Sequence, residues 1–577
     1  MAPLPSQSEN SSSETQITVI EPTTMATEEE KTAEAGIEVA KKDEIEYPSG
    51  IKLGLIVLAL CLSVFLIALD NAIIATAIPK ITDEFNSLPD VGWYGSGKLT
   101  HILWWFAVSV SVADHRFPIN IAYLLTTASL QLLFGKFYTY MKIKIVYLVA
   151  ICLFELGSLI CGVAQNSVTL IIGRAIAGLG AAGIMSGALL ILAHSVPLEK
   201  RPMYAGMIGS MYGIASVAGP LLGGVFADKA ASVPYPPPTL RGLGFMPVTM
   251  LIEDTSTKSD TLVQYMMRFD PVGNVLFMPA VICLLLSLQW GGTLYPWHDG
   301  RIIALFVVFG VLLVLFCGAQ LRLGDNATIP LRIIGDRTVW ASSLYIFFLG
   351  SAFYLMVYYV PIWFQTVQGV SAIDSGIRNL PVLITVVIFT IIAGAVVTGL
   401  GYYSPFMIVG TIFMSTGAGL FYTFTPDAKP AAWIGYQVLF GAGVGMGMQQ
   451  PLMAIQNALE LKDVATGTSI ITFLQTLGGA IFVSVAQSVF TNQLIQSLAA
   501  NVPGLDPNIV LSAGATSLKN SLNPKDLSGL REAYNTALLR AFLVATALSV
   551  ASIFGSASIP WKSVKRAKAD RAEGDST

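Results

Sequence analysis

The chain has 577 residues, of which 54% are hydrophobic and only 12% are charged. Its mean hydropathy is +0.66. Soluble globular proteins carry about 25% charged residues, so this composition excludes a soluble globular protein and indicates that most of the chain lies in lipid. The net charge of −3 and the lack of a basic stripe argue against a nucleic-acid partner. The five cysteines lie in apolar segments without metal-ligand spacing, so no metal site is expected.

The chain begins with an acidic tail. Residues 1–50 carry eleven acidic and three basic side chains among many Ser and Thr, a composition typical of a disordered, solvated segment. The tail has no apolar core and so does not resemble a signal peptide, and it is expected to stay in the cytosol. Residues 560–577 form a basic tail that is also expected to be cytosolic.

Thirteen apolar segments are long enough to cross a membrane as helices, which need about 20 residues each. They are 53–75, 121–140, 145–164, 168–194, 204–226, 271–290, 302–321, 340–364, 379–400, 405–424, 433–456, 466–490 and 541–559. A weaker fourteenth segment, 239–252, is interrupted by Gly and Pro. Lys and Arg in short loops favour the cytoplasmic side. With the N-terminal tail in the cytosol, all connections rich in Lys and Arg lie on the cytoplasmic side only if the chain has fourteen spans. Segment 491–540 is then an extracellular loop.

Three ionisable residues lie inside the predicted spans. A charge at membrane depth costs at least about 2.5 kcal/mol, so a charged residue there normally has a function or a buried partner of opposite charge. Arg174 cannot lose its proton and is interpreted as holding a polar network or a nearby carboxylate. Asp70 can bind and release a proton, and Glu155 is interpreted as a second candidate for a proton site or for the partner of Arg174. The alternatives are an Arg that bonds backbone carbonyls and an Asp that faces water at a helix end.

Three stretches carry a family resemblance. Segment 69–79 looks like the first-helix motif of the fourteen-span drug:proton antiporters of the major facilitator superfamily, and 170–182 resembles the superfamily's fourth-helix Arg motif. Segment 213–224 resembles the fifth-helix antiporter motif, whose shape residues here are Gly213, Gly219, Pro220, Gly223 and Gly224. Segment 288–297 is similar to the fungal branch that exports mycotoxins and other secondary metabolites. The likeness covers about residues 50–560.

The resemblance implies an all-α integral membrane protein with the major facilitator fold and about 14 transmembrane helices. Two six-helix bundles, 51–252 and 338–559, are joined by two linker helices within 271–323. Such transporters bind substrate near the midplane, between halves that rock against each other. The antiporter motif is expected to form a bent helix that seals the closed cavity.

The second half of the chain supplies amide and aromatic side chains instead of charges. Tyr358, Gln365, Gln449 and Gln450 are taken as candidates for a substrate cavity, because apolar pockets are built from aromatic walls with few polar groups. Such a cavity suits a lipophilic substrate with a few hydrogen-bonding oxygens. Many of the aromatic residues are alternatively explained as a belt at the membrane interface.

The chain departs from the family pattern in three places. In loop 135–144 the motif's Asp and both Arg are absent, which puts its charge latch in doubt. Segment 97–121 is an insert whose apolar core is too short to span, and translation of an unspliced intron would explain it. Segment 230–247 is rich in proline where the family begins its sixth helix. Transcript sequencing across both segments tests this hypothesis.

The expected function is proton-driven efflux of a lipophilic small molecule, such as a secondary metabolite, mycotoxin or drug, across the plasma membrane by alternating access. The proton gradient replaces any bound cofactor, and a monomer is expected. No HExxH, GxSxG or Walker A motif occurs, which argues against an enzyme or an ATP-driven pump. The alternatives are an uptake symporter for a nutrient or siderophore, a transport-dead membrane sensor, and a vacuolar or vesicle location.

Overall fold

The computed structural model describes residues 47–84, 121–164, 167–229, 269–292, 295–503, 510 and 524–565. Every regular element in these ranges is helical. Eleven described helical segments are long and apolar enough to cross a membrane, and two more helices coincide with the predicted spans 121–140 and 204–226. All thirteen strong predicted spans are therefore helical. The predicted span 239–252, segment 230–247 and all of 97–121 except Ile121 lie outside the described residues.

Five long helices lie in the described residues of the first half of the chain. They are α1 (Gly50–Glu84), α2 (Ile121–Tyr140), α3 (Ile143–Gly162), α4 (Ser167–Ser195) and α5 (Arg201–Lys229). Small residues let membrane helices approach closely, and α3 and α4 use them along their length. A Cβ added at Gly157 would lie 2.2 Å from the backbone nitrogen of Ala177, and one at Gly180 would lie 2.4 Å from that of Phe154. The backbones of α3 and α4 are therefore in direct contact.

Two linker helices follow, α6 (Pro271–Trp290) and α7 (Gly300–Leu323), and then the short α8 (Leu331–Ile334). The apolar stretch of α7 is only 17% buried, so this helix presents most of its surface to the outside. In contrast, α6 reaches the second half of the chain, where the ring centroids of Phe277 and Phe473 are 5.2 Å apart. The two linker helices therefore pack against the rest of the protein mainly through α6.

The described part of the second half of the chain contains eight helices. They are α9 (Arg337–Thr366), α10 (Ala372–Arg378), α11 (Leu380–Leu400), α12 (Ser404–Phe421), α13 (Pro430–Gly447), α14 (Gln450–Ala458), α15 (Leu461–Asn501) and α16 (Pro524–Ser558). The predicted span 433–456 is split between α13 and α14.

Both ends of the segment predicted as loop 491–540 are helical. α15 continues to Asn501 and α16 begins at Pro524, so the connection between these two helices is much shorter than the sequence indicates. Pro is favoured in the first turn of a helix, where its missing N–H has no intrahelical partner to lose. Hydropathy registers only the apolar part of a helix and therefore underestimates the length of α15 and α16.

Several helix ends that carry basic residues meet at one end of the molecule, called here the basic end. Lys136 Nζ donates to Asn326 O at 3.3 Å, Arg337 Nε donates to Ser558 O at 2.9 Å, and Val564 N donates to Gly401 O at 2.9 Å. Helices α5, α6 and α9 all begin at this end. Since α5 and α6 begin at the same end, the predicted span 239–252 between them would return the chain to that end. This span stays a prediction.

The two halves of the chain meet along two seams. In the first, α5 packs against α11, where a Cβ at Gly206 would lie 2.9 Å from Thr390 O and one at Gly394 would lie 2.5 Å from Pro202 O. In the second, α2 packs against α15, where Thr139 Oγ1 and Thr466 Oγ1 are 3.4 Å apart. Both seams reach the basic end, so the halves are in contact there.

Candidate functional site

Asp70 and Arg174 meet in the first half of the chain. Arg174 Nη1 donates a hydrogen bond to Asp70 Oδ2, and the side chains of Arg174 and Asp70 are only 1% and 2% exposed. α1 supplies the carboxylate and α4 supplies the guanidinium. Asp70 does not lie at a helix end, because α1 continues to Glu84. Removing one partner of a buried pair leaves an uncompensated charge, so the charge of each residue compensates for the burial of the other.

Close packing between α3 and α4 fixes the position of Arg174. Its neighbour Gly173 faces α3, where an added Cβ would lie 2.7 Å from Cys161 Sγ. Cys161 is within electrostatic range of both Arg174 and Asp70. Because no side chain separates the two backbones at Gly173, α4 cannot rotate freely against α3. The guanidinium is therefore presented to α1 from a rigid support.

Glu155, the third predicted ionisable residue, lies on α3 at a different level from the pair. Its neighbour Phe154 packs against Gly180, whereas Cys161 packs against Gly173 beside Arg174. Six residues of helix between these levels correspond to about 9 Å along the axis. Glu155 is partly exposed and lies nearer the basic end. The structure thus brings Asp70, rather than Glu155, into the ion pair with Arg174.

The predicted antiporter motif begins at the seam between α5 and α11. A Cβ at Gly213 would lie 2.2 Å from Val387 Cγ2 and 3.3 Å from Leu383 O, so only glycine allows this approach. Gly219 is also buried. Pro220, Gly223 and Gly224 lie within α5, but their side-chain surroundings are outside the described part of the chain. The bend that the sequence predicts at Pro220 stays a prediction.

The four candidate cavity residues occupy two separate regions. Gln365 Nε2 donates to Ser375 Oγ at 3.0 Å, near the end of α9 that is far from the basic end, and Tyr358 lies two turns before it on α9. Gln449 and Gln450 lie where α13 gives way to α14. Gln450 Nε2 donates to Met446 O at 3.1 Å.

Gln449 differs from the other three because it reaches across to the first half of the chain. A Cβ at Gly209 on α5 would lie 2.2 Å from Gln449 Nε2. Broken helices at the interface between the halves are typical of transporter binding sites. Gln449 is therefore the strongest cavity candidate of the four.

Sequence patterns do not reveal Arg378, which lies at the end of the second half opposite the basic end. Its guanidinium carbon lies 5.9 Å from the ring centroids of both Phe364 and Trp433, a cation–π arrangement. It donates to Gln368 Oε1, and its backbone oxygen accepts from Gln437 Nε2 at 2.9 Å. No local pattern marks this residue, because its partners come from three other segments.

A polar cluster at the basic end was likewise not predicted from the sequence. Arg332 donates two hydrogen bonds to Asp463, at 2.8 and 3.0 Å, and these bonds raise the pKa of the Arg332 guanidinium above its usual value. Nearby, Asp270 is fully buried and caps the N-terminus of α6. An Asp directly before Pro271 at a predicted helix start is an N-cap signature, so Asp270 could have been found from sequence.

Comparison with known proteins gives a consistent result. A family model described as Major Facilitator Superfamily matches residues 60–252. The "MFS-type efflux pump MFS1" of Trichophyton rubrum is 50% identical over 538 residues, covering 92% of this chain and 95% of that protein. The "Efflux pump aflT" of Aspergillus parasiticus is 45% identical over 524 residues, covering 90% and 97%. The "Efflux pump roqT" of Penicillium rubens is 46% identical over 516 residues, covering 88% and 90%.

Solved structures share the fold at low sequence identity. The human organic anion transporter MFSD10 matches with a TM-score of 0.52 and 14% identity, covering 86% of this chain and 99% of that one. The proton:xylose symporter XylE matches with a TM-score of 0.51 and 15% identity, covering 90% and 98%. At these identities the likeness concerns the fold alone.

Proposed function

This chain belongs to the major facilitator superfamily, among its fungal secondary-metabolite efflux transporters, and we propose that it exports a lipophilic small molecule in exchange for protons. It is a multi-pass membrane transporter and not an enzyme. We further propose that it acts as a monomer in the plasma membrane. The basic end and both termini then face the cytosol, as the distribution of Lys and Arg favours.

The buried pair of Asp70 and Arg174 is the observation that carries proton coupling. Arg174 is charged in every state, so Asp70 is the member of the pair that can bind a proton. A proton on Asp70 removes the charge that compensates Arg174, and the guanidinium then needs another partner or water. The two protonation states thereby favour different arrangements of α1 and α4. A ligand can shift a conformational equilibrium only through such differential interactions.

The lipophilic character of the substrate rests on the second half of the chain. Gln449 belongs to a half whose buried large side chains are mostly aromatic, including Trp363, Tyr359 and Phe440. Aromatic walls with few polar groups suit an apolar ligand that carries some hydrogen-bonding oxygens. The outward direction of transport rests on the relatives, which are named as efflux pumps.

Transport in vesicles with an imposed pH gradient tests the proposal. The purified protein is reconstituted, and movement of a fluorescent lipophilic compound is followed with and without the gradient. We expect gradient-driven accumulation by the native chain and its loss in Asp70→Asn, which keeps the shape of the side chain but cannot exchange a proton. Facilitated movement down the compound's own gradient should remain in Asp70→Asn.

The matched control is Gln131→Leu. Gln131 Nε2 donates to Ser186 Oγ at 3.0 Å, both side chains are buried, and the bond joins α2 to α4 in the same half. This variant removes a buried interhelix hydrogen bond without removing an ionisable group, so it should keep gradient-driven transport. Accumulation by Asp70→Asn at the native level would contradict the role of Asp70. Inward accumulation driven by co-transported protons would instead support the uptake symporter.

A further inference from the structure

The segment that follows the linker helices touches both halves of the protein at the basic end. This segment, residues 324–336, is called here the strap. On one side, Asn326 O accepts a hydrogen bond from Lys136 Nζ of α2 at 3.3 Å. On the other side, Arg332 donates two hydrogen bonds to Asp463 in the first turn of α15, at 2.8 and 3.0 Å. The strap therefore connects the two helices of the α2–α15 seam.

A buried carboxylate holds the strap in a defined shape. Asp270 Oδ2 accepts hydrogen bonds from Thr328 N at 2.9 Å, Thr328 Oγ1 at 2.7 Å and Gln320 Nε2 at 2.7 Å. Gln320 Oε1 in turn accepts from Ile329 N at 2.9 Å. A fully satisfied buried network makes a region rigid. The strap, α6 and α7 therefore act as one body around Asp270.

Lys136 is the contact of the strap with the first half of the chain. It is only 2% exposed, and its ammonium lies 5.6 Å from the ring centroid of Tyr140. Asp270, Asp325 and Asp463 all attract its charge, and none of them belongs to α2. A buried cation is costly without compensating charge. Lys136 therefore keeps its place only while the strap and the start of α15 stay beside it.

The seam next to Lys136 lacks charged contacts of its own in the part of the chain that the structure describes. Gly135 packs against Ser469, where an added Cβ would lie 2.6 Å from Ser469 Oγ. Thr139 occupies the place of the Asp in the family's loop motif and approaches Thr466 through hydroxyl groups. Because Thr139 carries no charge, it cannot form the charge latch that the family's Asp provides in this loop. Charged contacts lie one turn away, between Lys136 and the strap.

The strap is attached more firmly to the second half of the chain than to the first. Besides the paired hydrogen bonds between Arg332 and Asp463, it runs directly into α9, where Asp336 Oδ1 accepts from Thr338 N at 2.7 Å and from Val339 N at 3.2 Å. When the halves separate at the basic end, the strap follows the second half and Lys136 loses its partners. Lys136 is therefore the contact that breaks.

We propose that the strap is a lock that holds the two halves together at the basic end. Arg332 and Asp463 anchor the strap to the second half, and Lys136 is the contact that breaks when the halves separate. This proposal rests on the alternating access of the proposed function, because a lock matters only if the halves separate. It assigns a task to the linker helices, which carry the strap and hold its shape through Asp270. Interfaces that pack in two discrete arrangements are the usual elements of such transitions.

Distances between spin labels test the lock without any transport measurement. The five native cysteines are replaced by alanine, and labels are attached to Lys200→Cys and Glu460→Cys, one exposed site on each half at the basic end. Pulsed electron resonance in liposomes then gives the fractions of closed and open protein. We expect Lys136→Glu, which places a fourth carboxylate among three, to raise the ratio of open to closed molecules about tenfold. Lys136→Arg should keep the native ratio.

The anchor is tested by exchanging its charges. Arg332→Asp should raise the open fraction, and Arg332→Asp combined with Asp463→Arg should bring it back toward the native value. Arg322→Asp is the matched control, because Arg322 is an exposed arginine near the same end on α7, outside the strap. Arg332 is half exposed, so its variants test the lock even if Lys136→Glu fails to accumulate.

The native distance distribution in both Lys136→Glu and Arg332→Asp would overturn the lock. An open fraction that rises equally in Arg322→Asp would also overturn it, because the effect would then reflect surface charge in general. The readout needs no substrate and no proton gradient. A change of the open fraction as expected in the variants, together with no gradient-driven export by the native protein, is therefore a distinguishable result. That result would support the lock and contradict the proposed function.

Discussion

Asp70 and Arg174 depend on each other for their place in the protein interior. Both side chains are at most 2% exposed, and either ion alone would pay a desolvation penalty of roughly several kcal/mol. The pair joins helices that are far apart in the sequence, so it ties the position of α1 to that of α4. A change of charge at Asp70 therefore acts on helix positions and not only on one side chain.

Single and paired substitutions separate the stability of this pair from its role in transport. Arg174→Ala leaves the Asp70 carboxylate buried without its charged partner, so we expect a loss of about 3–5 kcal/mol in the free energy of unfolding. The paired variant Arg174→Met with Asp70→Leu buries apolar groups of similar volume and should recover most of that loss. Unfolding of the detergent-solubilised protein measures both effects.

Transport by the same variants is expected to follow a different order. The paired variant should be stable yet unable to couple export to a proton gradient, because it has no group at this place that binds a proton. Equal stability of Arg174→Ala and the native protein would contradict the importance of the pair. Gradient-driven export by the paired variant would place the proton site elsewhere, with Glu155 as the next candidate.

At the residue scale, the sequence identifies costly groups but not their partners. Arg174, Asp70 and Glu155 stand out because charge is rare in apolar segments. Whether Arg174 pairs with Asp70 or Glu155 depends on the level at which α3 and α4 pack, which is set by Gly157, Gly173 and Gly180. Arg378 shows the opposite case, since its cation–π partners come from other helices and no local pattern predicts it.

At the scale of elements, hydropathy predicts the spans because lipid requires about 20 apolar residues for each helix. Every strong predicted span is helical in the structure, although 433–456 is divided between α13 and α14. The ends are less predictable: α15 continues to Asn501, since a helix outside lipid needs no apolar residues. The break between α13 and α14 is likewise not visible in hydropathy, because both pieces are apolar enough to read as one span.

The seam between α5 and α11 gives a prediction at the same scale. Gly213→Ala introduces a methyl group 2.2 Å from Val387 Cγ2, so the halves cannot close fully along this seam. We expect a slower export rate and a higher open fraction at the basic end, measured with the labels on Lys200→Cys and Glu460→Cys. Val387→Ala in the same chain removes the clashing methyl groups and should restore much of the native behaviour.

The matched control for this seam is Gly435→Ala on α13. A Cβ at Gly435 would have no neighbour within 4 Å, and alanine is favoured over glycine in helices by about 1 kcal/mol. Gly435→Ala should therefore leave export unchanged and stability equal or slightly higher. Native export and a native open fraction in Gly213→Ala would show that the seam does not need the close approach of Gly213.

At the scale of the whole molecule, the linker helices are integrated with the two halves rather than appended to them. α6 contacts α15 through Phe277 and Phe473. Phe269, two residues before α6, contacts Phe137 of α2, and their ring centroids are 5.3 Å apart. Sequence predicts these helices as spans but gives no sign of which surface they cover. Their contact with both halves makes them part of the mechanism that the strap suggests.

Asp270 provides the test of this integration. Its two carboxylate oxygens accept hydrogen bonds from Gly273 N, Gln320 Nε2, Thr328 N and Thr328 Oγ1. In Asp270→Asn, the amide NH2 replaces an acceptor and meets donors, so buried donors lose their partner at about 1–3 kcal/mol each. We expect a lower unfolding temperature and, because the strap loses its shape, a higher open fraction at the basic end.

Asp299→Asn is the matched control for Asp270→Asn. Asp299 caps α7 of the same linker pair, but its side chain accepts a single hydrogen bond, from Arg301 N at 2.8 Å, at an exposed site. Asn caps helices about as well as Asp, so this variant should keep the native unfolding temperature and open fraction. Equal behaviour of the two variants would mean that the linker helices are held by lipid and apolar packing alone, and that Asp270 does not couple them to the halves that move.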